Sequence, residues 1–160
     1  MNWKNIGQWL VSLIVNSHDL DYLRKFPVLK GFSNHELYLF AQIVQERHFK
    51  EGELVYQEQF PLAVIYLISK GAVELTTDYH SSTGPVVLYK HQFLGIVDMY
   101  NENRRLSEAI AIKDTTLLAV SHLDFASFVK TNPAAGVKLL GNICQALSHY
   151  IFQQNKPIEE

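Results

Sequence analysis

The stretch from His48 to Ser121 constrains the fold of this chain more than any other part of its sequence. Short runs of β-branched and aromatic residues alternate there with Gly, Asn, Asp and Pro, and no apolar stripe persists at the helical period. This pattern predicts eight short strands, in a barrel or roll rather than a sandwich of long strands. The predicted strands are Arg47 to Phe49, Leu54 to Tyr56, Ala63 to Ser69, Ala72 to Asp78, Pro85 to Tyr89, Phe93 to Val97, Ser107 to Ala111 and Thr115 to Ser121.

Helical periodicity precedes the predicted strands. Ser33 and Glu36 have the spacing of a capping box, which predicts a helix that ends around Arg47. Further upstream, apolar residues three and four apart predict two short amphipathic helices that end before Pro27. These apolar residues are Trp3, Ile6, Leu10, Leu13 and Ile14, followed by Leu20, Leu23 and Phe26.

Helical periodicity also returns after Ser121. Leu123, Phe125 and Phe128 predict a short helix, and Asn132 and Pro133 have the residue types of a cap and first position of a longer one. An apolar stripe follows on this long helix, and it could cover the roll and a second subunit. The stripe consists of Val137, Leu140, Ile143, Leu147 and Ile151.

The order of predicted elements and the size of the chain define a fold class. A chain of 160 residues, 48% of them apolar, can bury one core. We predict an α+β fold: an eight-stranded antiparallel β-roll, similar to a jelly roll, with N-terminal helices and a long C-terminal helix. The predicted divisions are a helical extension over residues 1–25, the domain over residues 26–153 and a flexible tail over residues 154–160.

Charge and cysteine content narrow the environment and the partners. A formal net charge of −2 gives no general attraction to nucleic acid, so we expect no direct nucleic-acid binding. The single cysteine, Cys144, excludes an internal disulfide and fits a reducing, cytoplasmic compartment. The longest early apolar run, residues 9–15, is too short for a transmembrane span and has no features of a secretory signal.

Four local patterns resemble one known family. Residues 26–39 look like an entry helix, residues 49–53 a first glycine turn, residues 65–75 a hairpin around Gly71, and residues 118–125 the exit of a last strand into a helix. Together they resemble the cyclic-nucleotide-binding domain, which occurs in regulatory subunits of kinases, in gated channels and in bacterial transcription regulators. The resemblance covers residues 26–150 and implies cAMP or cGMP as the possible ligand, with no other cofactor.

The resemblance also implies a phosphate-binding cassette between residues 94 and 109. Arg105 stands in register with the family's phosphate-binding arginine, and the adjacent Arg104 is the alternative candidate. Because side chains alternate along a strand, one of the two should point into the roll and the other outward. The family's ribose-binding glutamate falls on Ile96, which cannot accept a hydrogen bond. The predicted cassette residues are Gly95, Ile96, Val97, Asp98, Arg105, Leu106 and Ser107.

Three residues of this cassette have alternative interpretations. Asp98 would repel a phosphate and attract Arg105, so we hypothesise that the two pair in the empty pocket; alternatively Asp98 caps a turn and faces solvent. Gly95 either lets the backbone approach a ligand or is simply a turn glycine. Ser107 could donate its hydroxyl to a phosphate, although a strand serine facing water is commoner.

The sequence does not predict catalysis. No two of the seven histidines have a local metal-binding spacing, and no nucleophile elbow or phosphate-cradling glycine loop is present. We therefore expect a non-enzymatic regulatory sensor whose ligand binding is weakened by Ile96 and Asp98. The alternatives are a ligand-independent interaction or dimerisation module on the same fold, with a homodimer or another protein as partner, and a regulator that acts through a separate DNA-binding or membrane partner.

Overall fold

The computed structural model of the chain describes residues 20–77, 84–100 and 104–154, which fall into two compact units. One unit, Ile43–Phe128, contains the strands; the other is helical and consists of the chain up to Gln42 and from Val129 onward. The helices predicted from Trp3 to Ile14 lie outside the described residues, as does the predicted tail after Gln154. The domain boundaries at residues 25 and 153 stay predictions.

The strand unit contains eight antiparallel strands within its described residues, as the sequence predicts. They form two four-stranded sheets, of order β1-β8-β3-β6 and β2-β7-β4-β5. The strands are β1 (Val44–Phe49), β2 (Leu54–Tyr56), β3 (Val64–Lys70), β4 (Ala72–Thr76), β5 (Val86–Tyr89), β6 (Phe93–Leu94), β7 (Glu108–Ala111) and β8 (Thr115–Ser121).

An apolar core cluster lies within the strand unit. Its fully buried members come from both sheets, and further aromatic and aliphatic side chains pack against them. Because inward positions alternate along each strand, the two sheets contribute facing layers to this core. The buried cluster is Tyr66, Ile68, Val73, Leu94, Ala109, Leu117 and Ala119.

Two predicted boundaries in this region are wrong. The helix expected to reach Arg47 ends at Ala41, because Val44–Phe49 pairs with β8 as a strand, with Val44 opposite Val120. Cross-strand pairing overrides the helical period there. The strand expected to reach Val97 ends at Leu94, because Gly95 adopts a φ of +86° and a 3-10 helix, η3 (Val97–Tyr100), follows.

The helical unit is built from four described segments. These are the short 3-10 helices η1 (Leu23–Lys25) and η2 (Pro27–Leu29), the helix α1 (Asn34–Ala41) and the long helix α3 (Pro133–Gln154); a further helix, α2 (His122–Thr131), crosses the boundary between the units. Leu23 and Phe26 are buried, but Leu23 lies in η1 and Phe26 between η1 and η2, where the sequence predicted a helix. The side-chain amide of Asn142 on α3 donates to the carbonyl oxygens of Val28 and Lys30, at 3.0 and 2.9 Å.

The apolar stripe predicted on α3 is only partly buried. Ala135, Leu139 and Ile143, each four residues from the next, form the buried face. Val137 lies on the opposite side of the helix from Leu139, and its side chain is 73% exposed, as Ile151 is at 59%. At about 100° per residue the predicted stripe does follow one face of the helix, but that face is rotated from the buried one, and Ile143 is its one buried member. Among the described residues, no helix combines the length and the apolar composition that a membrane span needs.

The capping box at the start of α1 predicts a pH dependence of stability. Glu36 accepts hydrogen bonds from the Ser33 backbone N–H and from the Lys138 ammonium, both at 2.7 Å, and the Lys138 contact is the main cause that lowers the pKa of Glu36 to about 2. A lowered pKa contributes stability at pH values above the usual 4.5 that is lost as the pH falls toward 2. We expect Glu36→Gln to cost about 1 kcal/mol near neutral pH.

Urea denaturation between pH 3 and 7 measures this effect. The difference between wild type and Glu36→Gln should be constant above pH 5 and shrink below about pH 4.5. The control is the same substitution in a Lys138→Met background, where the charged partner is missing and the cost should be smaller. A difference that stays constant down to pH 3 contradicts the assignment.

Candidate functional site

The candidate site lies in the loop that connects β6 to β7. Gly95 and Ile96 form a turn after β6, and η3 follows directly. On the other side of the loop, the backbone N–H of Arg105 donates to the Phe60 carbonyl, and the Gln59 N–H donates to the Arg105 carbonyl, both at 2.9 Å. These two bonds fix the backbone of Arg105 against the segment that links β2 to β3.

Arg105 points into the strand unit and is almost fully buried. Its side chain is 3% exposed, and the Nη1 atom lies 3.0 Å from the Oδ2 atom of Asp98, whose side chain is 6% exposed. The Nη2 atom donates to the Val64 carbonyl at 2.6 Å, and the guanidinium carbon lies 3.7 Å from the centre of the Tyr56 ring. The Nε atom is buried without a hydrogen-bond partner.

Asp98 uses both of its carboxylate oxygens. Its Oδ1 atom accepts the backbone N–H of Leu106 at 3.2 Å, while Oδ2 faces Arg105. Asp98 is buried, so the alternative in which it faces solvent is wrong and the expected pairing with Arg105 is present. A guanidinium and a neighbouring backbone N–H are typical donors of an anion site, and here the chain's own carboxylate receives both.

Gly95 is needed for this arrangement in two ways. Its φ of +86° lies in the left-handed region that favours glycine, and a Cβ at this position would fall on the Nη1 atom of Arg105. The same Cβ would lie 3.4 Å from the Val64 carbonyl oxygen. Gly95 is therefore a turn glycine that also admits the Arg105 side chain, and its predicted close approach to a ligand stays a prediction.

The remaining predicted cassette residues surround this pair unevenly. Ile96 is buried and offers only apolar atoms where the resemblance implies an acceptor for a ribose hydroxyl. Val97 and Leu106 are exposed, and Leu106 contributes its backbone N–H. Ser107 is half-buried, and its side chain acts to lower the pKa of the Tyr56 hydroxyl. Their roles as ligand contacts stay predictions.

The two neighbouring arginines separate as strand alternation predicts. Arg104 is exposed, and its Nη1 atom donates to the Gln59 carbonyl at 3.0 Å. Its backbone forms an isolated antiparallel β-bridge with Pro61. Arg105 points inward. The arginine in register with the family's phosphate-binding residue is thus the buried one, and the adjacent residue provides a matched surface control.

Sequence reasoning missed Tyr56, a principal contact of Arg105. Burial raises the pKa of the Tyr56 hydroxyl well above its usual value, against the opposing effect of the Arg105 charge. The Tyr56 ring stacks on Tyr66, with centroids 6.4 Å apart, and Tyr66 meets Phe49 edge-on. One face of the guanidinium is therefore covered by an aromatic stack that continues into the core. The only sequence signal was an aromatic residue at the end of a predicted strand.

The site is built around a buried ion pair. Its charged groups are one cation and one carboxylate, and no group of three or more His, Cys, Asp or Glu side chains able to hold a metal ion occurs within residues 20–77, 84–100 and 104–154. A buried arginine opposite a glycine turn and inside a β-roll is the arrangement that the resemblance to cyclic-nucleotide-binding domains implies.

Comparison with known proteins agrees with this class. Residues 46–132 match the cyclic nucleotide-binding domain family, and the chain belongs to that family. It is 22% identical over 123 residues to the cyclic AMP receptor protein of Thermus thermophilus, a match that covers 76% of this chain and 57% of that protein. The chain thus spans little more than half the length of this curated relative.

Two solved structures show the same fold. A cyclic nucleotide-binding domain from Methylobacillus flagellatus has a TM-score of 0.72 and 20% identity, covering 84% of this chain and 76% of that one. The regulatory subunit of a cAMP-independent protein kinase A from Trypanosoma cruzi, bound to guanosine, has a TM-score of 0.63 and 17% identity, covering 74% and 43%. At these identities the similarity shows the fold alone.

Proposed function

We propose that this domain is a non-enzymatic regulatory sensor of the cyclic-nucleotide-binding type, with weak affinity for its nucleotide. The observation that carries the proposal is the buried guanidinium of Arg105, which lies against Gly95 in the cassette and is already paired with Asp98. A buried cation in this place suits a cyclic phosphate. Its existing partner opposes binding.

Two features weaken the interaction with a cyclic nucleotide. An incoming phosphate must displace the Asp98 carboxylate from Arg105 and from the Leu106 N–H, since three buried charges of which two are negative would leave one uncompensated. Ile96 leaves a ribose hydroxyl without an acceptor, which costs about 1 to 3 kcal/mol. Together these effects reduce affinity by at least about tenfold.

The proposal extends to the ligand, the compartment and the partners. We propose cAMP or cGMP as the ligand, a cytoplasmic setting because the sequence contains a single cysteine, and a homodimer or protein partner. The relative from Trypanosoma cruzi, described as cAMP-independent and bound to guanosine, shows that a protein of this fold can carry another nucleoside ligand.

Calorimetric titration of the purified chain with cAMP and cGMP tests this function. We expect Ile96→Glu to bind at least about tenfold more tightly than wild type, because the new carboxylate can accept the ribose hydroxyl. Ile96→Gln restores an acceptor without adding a charge and should show a smaller gain. It also serves if a buried glutamate at this position prevents folding.

A residue outside the cassette provides the control. Leu123 on α2 is 77% exposed, so Leu123→Glu adds the same charge away from the pocket and should leave affinity at the wild-type level. If neither Ile96 variant binds either nucleotide more tightly than wild type, the proposed function is wrong.

A second candidate function is a ligand-independent interaction module. The observation that favours it is the exposed apolar set on α3, which includes Val137, Ile151 and Phe152. Sedimentation of wild type with and without cAMP distinguishes the two candidates, since a dimer whose dissociation constant ignores the nucleotide supports the second one.

A further inference from the structure

The donors around Asp98 are those that an anion site presents to its ligand. A buried guanidinium supplies one hydrogen bond of 3.0 Å, and the backbone N–H of the residue that follows Arg105 supplies another of 3.2 Å. We infer that the Asp98 carboxylate is a built-in ligand, which takes the place of a bound anion and holds the cassette closed around Arg105 without a nucleotide. This inference rests on the proposed function, because it assigns the regulation of the same site.

The charge balance of the pocket supports a built-in ligand. Arg105 and Asp98 are 3% and 6% exposed, so both charges are removed from water and each is compensated by the other. A second anion would leave one negative charge buried without a partner, which is strongly unfavourable. The pocket therefore exchanges one anion for another and does not hold two.

The tether gives Asp98 an advantage over any free anion. Arg105 follows Asp98 by only seven positions along the chain, and Asp98 is carried by η3, which starts two residues after Gly95. A group held by a short connection competes at an effective concentration of millimolar or more. A free anion of the same intrinsic affinity must exceed this concentration to displace Asp98, so Asp98 occupies the site in the absence of a tighter ligand.

One donor of Arg105 distinguishes this built-in ligand from a phosphate. The two oxygens of Asp98 are used by Nη1 and by the Leu106 N–H, Nη2 donates to Val64, and Nε has no partner. A carboxylate has no third oxygen to offer, whereas a tetrahedral anion does. A cavity left by removal of Asp98 should therefore accept acetate and should accept inorganic phosphate more tightly.

Removing the Asp98 carboxylate tests the inference by chemical rescue. Asp98→Ala leaves a buried cation without its counterion, and we expect its Tm to fall by about 10 °C in sodium chloride. Acetate or inorganic phosphate at 100 mM, with ionic strength held constant, should recover about half of this loss or more in the variant. Wild type, whose site is occupied, should shift by less than about 2 °C in the same buffers.

A double variant separates site binding from general effects of salt. Phosphate stabilises many proteins without binding to them, so Asp98→Ala with Arg105→Leu serves as the control. It lacks both charges, and we expect a Tm above that of Asp98→Ala and the same small salt response as wild type. If the single and double variants respond equally to acetate and phosphate, the inference is overturned. Where Asp98→Ala does not fold in chloride, refolding yield becomes the readout, and equal failure in chloride and phosphate also overturns it.

Nucleotide titration distinguishes this inference from the proposed function. In one outcome, acetate and phosphate rescue Asp98→Ala while neither this variant nor Ile96→Glu binds cAMP or cGMP. That result supports the built-in ligand and contradicts the nucleotide sensor. If wild type binds cAMP or cGMP and Asp98→Ala does not bind it more tightly, the nucleotide sensor is supported and the built-in ligand is contradicted. Both proposals gain if Asp98→Ala binds a cyclic nucleotide more tightly than wild type.

Discussion

Gly71→Ala should lower the free energy of unfolding by at least about 3 kcal/mol. Gly71 forms the tight turn between β3 and β4 at a φ of +94°, and a Cβ there would lie 2.6 Å from the Thr115 Cα atom and 2.8 Å from the Asp114 carbonyl oxygen. Both obstacles are backbone atoms, which cannot move aside as a flexible side chain can. The new methyl group must open the turn or displace the start of β8.

The buried hydroxyl of Thr115 adds to this cost. It accepts the Ala72 N–H at 3.2 Å and donates to the Lys113 carbonyl at 2.7 Å, so it connects β8 to the first residue of β4. The Cβ of an alanine at position 71 would also fall on this oxygen. Displacing it leaves the buried Ala72 N–H without a partner, a loss of about 1 to 3 kcal/mol by itself.

Gly52→Ala is the matched control. Gly52 has a similar φ of +83°, and no atom lies within 4 Å of the position that its Cβ would occupy. It should lose only the cost of left-handed backbone, about 1 kcal/mol. Urea denaturation of both variants measures the difference, and equal costs at the two positions would show that the steric account of the turn is wrong.

The strands could be predicted because their signal is local. Alternating apolar residues between turn residues indicate a strand wherever it pairs, and all eight predicted strands are present. The errors occur where a distant partner decides. Val44 continues a helical pattern in the sequence, yet it pairs with Val120 on β8. This pairing could not be predicted, because no local sequence feature indicates a strand partner so distant along the chain.

The candidate site divides in the same way. The resemblance places Arg105 and Asp98 in one cassette, and their opposite charges made the ion pair predictable. The alternation of side chains along a strand likewise predicted that one of Arg104 and Arg105 points inward. Tyr56 and the Val64 carbonyl could not be predicted, because they reach the guanidinium from β2 and β3. A backbone carbonyl has no sequence signature, and stacking of an aromatic ring on a cation depends on the three-dimensional arrangement of the strands.

The unpredicted contacts add to the predicted Asp98 pair in holding Arg105. Tyr56 covers one face of the guanidinium, and the stack through Tyr66 connects that face to the core. Asp98 and Val64 satisfy Nη1 and Nη2. The energetic importance of Arg105 for the folded state is therefore larger than its proposed ligand role alone would give, and substitution at this position should be visible in stability before any ligand is added.

Arg105→Leu should lower the free energy of unfolding by about 3 to 5 kcal/mol. Leucine can fill part of the space under the Tyr56 ring, but it leaves the buried Asp98 carboxylate without a cation and the Val64 carbonyl without the Nη2 donor. Breaking a buried pair costs more than the pair contributes, since the remaining charge is uncompensated. The same variant should lose any measurable binding of cAMP or cGMP.

Arg104→Leu tests whether burial, and not the loss of a positive charge, causes this effect. Arg104 is exposed and makes one hydrogen bond to the Gln59 carbonyl, so we expect a loss below about 1 kcal/mol. Both variants change the net charge equally and lie next to each other, which leaves the environment of the side chain as the difference. Thermal and urea denaturation measure both. Comparable losses at positions 104 and 105 would contradict a buried guanidinium, because only a partner-dependent charge inside the roll can make one of two adjacent arginines several kcal/mol more important than the other.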